Sequence, residues 1–124
     1  MKPEELQDRL LRFAARIGAV ADVLPDTRLG RHISGQLIRC GTSPAPNYSE
    51  ACAAESRNDF VHKLSICLKE LRETHVWLRL IVLAKILPSE RLDDLLQECV
   101  ELSNIIGKSI ATTKGKGARV SSRN

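Results

Sequence analysis

The sequence predicts an all-α protein: an up-and-down antiparallel four-helix bundle followed by a disordered basic C-terminal tail. Three observations predict it. Apolar residues recur at steps of three and four through four separate stretches, the signature of one buried face on each of four helices. Short turns carrying proline or capping residues separate those stretches. Aromatics are scarce (Phe13, Tyr48, Phe60, Trp77), so the core is drawn from Leu, Ile, Val and Ala, which suits helices. A chain of 124 residues is long enough for one such core.

The first helix is expected from Pro3 to Val23, with Leu6, Leu10, Phe13, Ile17, Val20 and Leu24 facing inward and Pro3 in the first turn. Glu5–Arg9 and Asp8–Arg12 have the spacing of surface ion pairs. Leu24-Pro25-Asp26-Thr27 is a turn, and Asp26 or Thr27 caps the next helix. That second helix starts near Arg28. Leu29, Ile33, Leu37 and Cys40 are its expected core face, while Arg28, Arg31, His32 and Arg39 cluster opposite. Two paths are open at Gly41 to Tyr48. Gly41 could close the helix and Ser43 cap a new one, or one long rod continues to about Glu55 with a kink at Pro44. The favoured path is near-continuous helix with a break in hydrogen bonding around Thr42 to Pro44.

The central helix, Ser56 to Leu87, is the longest. Phe60, Leu64, Cys67, Leu68, Leu71, His75, Leu78 and Val82 form its buried stripe, Ser56 and Asp59 its capping box, and Pro88 its stop. From Val76 to Ala84 it is apolar nearly all round. One core cannot bury every side of that segment, so a second contact surface is implied, with Ile66, Trp77, Leu80, Ile81 and Ala84 as the oligomer interface and Trp77 as its anchor. After Leu87-Pro88-Ser89 the last helix carries Leu92, Leu96, Cys99, Leu102 or Ser103, Ile106 and Ile110, and fades near Thr113. The expected division is a bundle over 1–113 and a tail over 114–124, KGKGARVSSRN, too polar to bury anything.

Charge is unevenly placed. Four of the 19 basic residues (Lys114, Lys116, Arg119 and Arg123) lie in the last eleven positions, which hold no acid. The rest of the chain carries 15 bases against 15 acids, so the tail accounts for the whole net charge of +4. Thr27 to Ser49 also lacks any acid, which leaves Arg28, Arg31 and Arg39 without local carboxylates. Unpaired arginines on one stripe suit phosphate; the alternatives are a solvated face or pairing with a neighbouring subunit.

Cys40, Cys52, Cys67 and Cys99 have neither C-x-x-C nor metal-ligand spacing, and Cys67 and Cys99 fall in core phase, as reduced cysteines of a cytoplasmic protein would. Glu4, Glu5 and Asp8 stand where a signal peptide needs apolar residues, and no apolar run approaches the ~20 residues of a membrane span. Asp59-x-x-His62 is the one spacing comparable to a di-iron bundle ligand set, and nothing repeats it. No nucleophile elbow, zinc-protease helix or phosphate-cradling glycine loop is present. Neither enzyme activity, metal nor cofactor is expected. Asn47, Glu50 and Glu73 read either as a ligand pocket or, preferred, as a structural polar network beside the kink.

The middle third is the most specific part: Q-L-I-R-C-G-T-S from Gln36, N-Y-S-E-A from Asn47, S-R-N-D-F-V-H-K-L from Ser56 and L-K-E-L-R-E-T-H-V-W-L ending at Leu78. Together these resemble the small bacterial four-helix-bundle family first met in intervening sequences of 23S ribosomal RNA genes. Gln36, Leu37, Arg39, Ser43, Asn47, Glu50, Phe60, Glu73 and Trp77 stand where that pattern places them, whereas Pro44 and Pro46 replace small or aliphatic residues. The resemblance implies a homopentamer with bundles side by side in a barrel, and no catalytic residue. A related bundle, the accessory variability determinant of diversity-generating retroelements, implies nucleic acid (RNA or DNA) and a reverse transcriptase as partners. The expected function is a non-enzymatic assembly protein that binds nucleic acid through Arg28, Arg31, Arg39, Lys114, Lys116, Arg119 and Arg123. The alternative is a protein–protein scaffold ring with no nucleic-acid role.

Overall fold

The computed structural model describes residues 1–116 with their side chains and follows the backbone to residue 123. Its helices are α1 Pro3–Val23, α2 Arg28–Thr42, α3 Pro44–Cys52, α4 Arg57–Leu83 and α5 Asp93–Arg123, with a 3₁₀ turn, Ser89–Arg91, leading into α5. Because α2 and α3 form one rod, the architecture is the expected up-and-down four-helix bundle. No strand occurs among the described residues. The α1–α2 turn and the α4–α5 connection share one pole. The start of α1, the end of α3, the start of α4 and the far part of α5 share the other, where Met1, Leu6, Tyr48, Phe60 and Thr112 line a common cleft.

α1 begins as Pro3 directs, at the first helical position, and Glu5 accepts the Lys2 backbone N–H. Leu6, Leu10, Phe13, Ile17 and Ala21 are buried, with Val20 and Leu24 packed at the margin. Asp8 and Arg12 pair at 3.0 Å as expected. Arg9 does not stay with Glu5. It crosses to α5, donating to both oxygens of Glu98 at 2.8 and 2.6 Å and to Glu101 at 3.0 Å. This fork closes the seam between α1 and α5, where the two helices otherwise touch little.

Thr27 caps α2 by accepting the Gly30 N–H at 3.0 Å. Ile33, Leu37 and Cys40 are buried, but Leu29, expected inside, is 43 % exposed, because the inward position belongs to Gly30. Gly41 lets α2 press onto α1: a Cβ there would lie 2.5 Å from Cγ2 of Ile17. At the junction with α3, Ser43 keeps helical dihedrals, so the rod stays nearly continuous. Pro44 and Pro46 cannot donate to the carbonyls one turn back. Asn47 spans the gap, its backbone N–H reaching Ser43 O at 3.2 Å and its amide donating to Ser43 O and Oγ at 3.0 and 2.9 Å.

α4 starts where Ser56 accepts the Asp59 N–H at 3.0 Å, but it ends at Leu83, four residues before the expected stop. Lys85 takes a left-handed φ of 58°. Ile86 N–H then bonds Ile81 O and Lys85 N–H bonds Val82 O, both at 3.0 Å. That is the Schellman closure, built on lysine where glycine is usual. It turns Ile86 and Leu87 back onto the core. The buried stripe of α4 is Leu64, Cys67, Leu71, Thr74, Leu78 and Ile81, while Phe60, Leu68, His75 and Val82 lie at its edge. Thr74 is the one buried polar side chain among the described residues; its hydroxyl donates to Glu70 O at 2.8 Å and touches Cys40 Sγ.

α5 buries Leu95, Cys99, Leu102 and Ile106, after Leu92. It runs through Thr113, so the expected boundary there is not a helix end, and Lys114 and Lys116 stand exposed on the helix. No proline opposes its continuation, and cations near a helix C-terminus favour it. Residues 117–124 of the expected tail, with Arg119 and Arg123, lie outside the residues whose side chains are described. The Cys67 and Cys99 thiols donate to Pro44 O at 3.4 Å and Leu71 O at 3.1 Å, and burial pushes both up to about 12, so they remain thiols.

This packing can be tested at two points. Gly41→Ala drives a methyl into Ile17 and should destabilise by about 1–3 kcal/mol, the range for overpacking a close contact; urea denaturation measures it, and an unchanged midpoint would mean that α1 and α2 separate freely. The Arg9 hydrogen bond holds Glu98 below the usual carboxylate range. A carboxylate lowered on folding contributes stability that is complete above its unfolded pKa and lost as pH falls through the folded value. Glu98→Gln should therefore be less stable than wild type at neutral pH, by about 1 kcal/mol for a part-exposed fork, and the difference should close in acid. A gap independent of pH would assign the effect to packing.

Candidate nucleic-acid interface

The expected interface joined the arginines of α2 to the basic C-terminal segment. The structure puts Arg28 and Arg31 at the pole opposite Lys114 and Lys116, with Arg39 midway along the bundle. Arg28 opens α2 beside the α1–α2 turn, whereas Lys114 and Lys116 lie about 30 Å along α5 from its start at that pole, at 1.5 Å per residue. Arg28 is exposed and makes no ion pair among the described residues.

Arg31 and Arg39 are not unpaired as expected. Arg31 reaches back to Asp26, just outside the acid-free stretch, with an N–O distance of 2.6 Å. Arg39 crosses the α2–α4 seam to Glu70 at 3.0 Å and to Glu73, and also donates to Gln36. These partners are not on the arginines' own helix: they belong to the preceding turn and to α4.

The same crossing frees other cations. Lys69 is spaced to pair with Glu73, but that carboxylate is committed to Arg39. Lys69, Arg72 and Arg79 share the outward row of α4, exposed and without an ion pair among the described residues. Sequence reasoning missed this row. Its signal was present: three cations at helical spacing on the side opposite Leu64, Leu71 and Leu78.

Asn47, Glu50 and Glu73 do not form one network. Asn47 closes the proline break, Glu50 is 60 % exposed and pairs with Lys63 at 2.9 Å, and Glu73 joins Arg39. Ten residues of α4 separate Lys63 from Glu73, about 15 Å along the axis, which rules out a shared pocket. His75 lies half-buried at a cleft against α5 rather than in the core.

The expected self-association surface also divides. Ile81 is fully buried and belongs to the protomer core. Ile66, Trp77 and Leu80 are half-buried along the α2–α4 flank, and Ala84 is exposed at the helix end. Trp77 meets the His32 ring edge-on at 5.5 Å, and its indole N–H is enclosed without an acceptor. On α4 the large apolar groups that do face outward are Val76 at 60 % and Leu83 at 71 % exposure, one heptad apart, and Leu29 of α2 is exposed near the same pole as Leu83; Leu11, Val23, Ile38 and Val100 are exposed on the other helices. Among the described residues no three His, Cys, Asp or Glu side chains gather as a metal site, and no helix is long and apolar enough to cross a membrane.

Residues 5–108 match the family model described as 23S rRNA-intervening sequence protein. The chain belongs to that family. A solved structure from Bacteroides thetaiotaomicron, a protein of unknown function from the S23 ribosomal protein family, is similar at 33 % identity and a TM-score of 0.79. The similarity covers 85 % of this chain and 97 % of that one. No protein of curated function matches. The matched region includes the Arg39 clasp, the proline break and the α4 row, and stops before Lys114 and Lys116.

Arg39→Gln should lower the unfolding free energy by about 1 kcal/mol, since Glu70, only 13 % exposed at its side chain, loses its partner. Circular dichroism in urea reads the change. An unaltered midpoint would show that the clasp does not contribute to stability.

Proposed function

We propose that this member of the 23S rRNA-intervening sequence protein family is a non-enzymatic homo-oligomer, a pentameric ring of bundles, that holds nucleic acid through repeated cationic surfaces. The observation that carries this reading is the set of exposed cations left without carboxylates: Arg28 at one pole, Lys114 and Lys116 toward the other. The family's description supports it, since it names a ribosomal RNA intervening sequence. Arg119 and Arg123 extend the C-terminal group in sequence. Arginine grips phosphate with two parallel N–H groups and needs no shaped pocket. Two or three such contacts per subunit are weak, but repetition around a ring makes them avid. Four aromatics, most of them packed inward, offer no stacking platform for bases. Binding is therefore sequence-tolerant, to RNA or DNA alone or within a reverse-transcriptase ribonucleoprotein.

Self-association is supported by Leu29 and Leu83, apolar side chains that one protomer leaves in water at the pole away from Lys69 and Arg72. The scaffold reading has its own support, in the neutralisation of Arg31 and Arg39 by carboxylates of the same chain.

Light scattering followed by fluorescence anisotropy tests both levels. Wild type should be an oligomer at micromolar concentration, and Leu83→Glu should dissociate it with helix content intact. The oligomer should bind RNA and duplex DNA at low salt and release them steeply as salt rises, because neutralised phosphates give up counterions. Deleting 114–124 and replacing Arg28 with Gln should each flatten that slope. An oligomer that binds neither nucleic acid is a scaffold; a monomer would overturn both readings.

A further inference from the structure

We infer that the cleft between α4 and α5 is a seat for one phosphate group, formed by Arg72, His75 and Asn104. The cleft has a volume of about 180 Å³, below the ~300–1,000 Å³ of sites that enclose drug-sized molecules, and suits a single oxyanion. Arg72, His75, Val100, Ser103 and Asn104 line it. Ser103 already donates its hydroxyl to Cys99 O at 2.8 Å. The donors left are the guanidinium, an imidazole N–H and an amide NH₂, three groups that oxygen-rich anions accept from.

The carboxylates that would quench such a site are turned away on both sides. Glu70 and Glu73 of α4 face the α2 seam and hold Arg39. Glu98 and Glu101 of α5 face the opposite seam and hold Arg9. What remains beside the cleft on the outer α4–α5 face is cationic, and the one acid in phase with Asn104 on α5, Asp93, lies about three turns away. Lys69 and Arg79 flank Arg72 on the same row, and Lys108 lies one helical turn beyond Asn104. From Lys69 to Arg79 the row spans about 15 Å, more than one phosphate needs. A phosphodiester backbone is therefore the source of the group, with the cleft fixing one phosphate and the row steering its neighbours. The choice of source rests on the nucleic-acid reading; the seat itself does not.

Two titrations on the intact protein decide it. Inorganic phosphate is added while the His75 ring resonances are followed by NMR, with chloride at matched ionic strength as reference. Saturable shifts in wild type that vanish in Arg72→Gln and weaken in Asn104→Ala establish the seat. Both positions are exposed, so neither change should disturb folding, and either variant alone suffices. No phosphate-specific shift at millimolar concentration, or one that survives both substitutions, overturns it. The second titration is RNA anisotropy. Arg72→Gln should weaken binding several-fold and reduce the salt slope by about one. If phosphate responds but RNA binding ignores Arg72, the seat holds and the backbone as its source is overturned. If wild type binds neither RNA nor duplex DNA, the proposed function fails, and the phosphate titration still decides the seat.

Discussion

The α2–α3 rod has to stay straight across two prolines, and the rest of the bundle depends on it. α4 is 27 residues long, and neither α2 nor α3 alone could cover it. Ser43 in helical conformation and the Asn47 clasp keep the two pieces collinear, so contacts with α4 run in one antiparallel register from end to end. Glu50 meets Lys63, Pro44 meets Cys67, Arg39 meets Glu70 and Glu73, and His32 meets Trp77. A bend at Pro44 would keep one half of that series and lose the other. The close approach at Gly41 acts just before the break, anchoring the rod to α1 as well.

Register also decides where charge is displayed. Each seam takes carboxylates from one side of a helix: Arg39 draws Glu70 and Glu73 toward α2, and Arg9 draws Glu98 and Glu101 toward α1. The middle of the face between α4 and α5 is left to Lys69, Arg72, Arg79 and Lys108, with Asp93 at its end. Formal neutrality of the bundle thus conceals a separation of sign across it. An interior function of these ion pairs, holding seams at modest free energy, has an exterior effect on the potential that a polyanion meets.

Much of the fold was legible in the sequence because it rests on local rules. Pro3 set the start of α1, Thr27 and Ser56 capped their helices, and the three-four spacing of Leu64, Cys67 and Leu71 marked the buried face. What escaped was non-local or depended on one unusual dihedral. Nothing in Leu83-Ala84-Lys85 marks a left-handed lysine, so α4 looked four residues longer than it is. Leu29 looked internal because Gly30, which takes the inward place, carries no apolar side chain to count. The candidate site was the least legible part. Arg39 seemed free because its acids lie on another rod, and Arg72 seemed ordinary because the acids near it in sequence point elsewhere.

The distribution of cysteines has a practical consequence for anyone handling the protein. Cys40, Cys67 and Cys99 are enclosed in the bundle, protonated and bonded to groups across seams, so alkylating or oxidising reagents reach them only after the seams open. Cys52 alone is exposed, at the last residue of α3. One thiol-directed dye per chain would therefore report from a single known pole, and a second equivalent of label would be a chemical clock for unfolding.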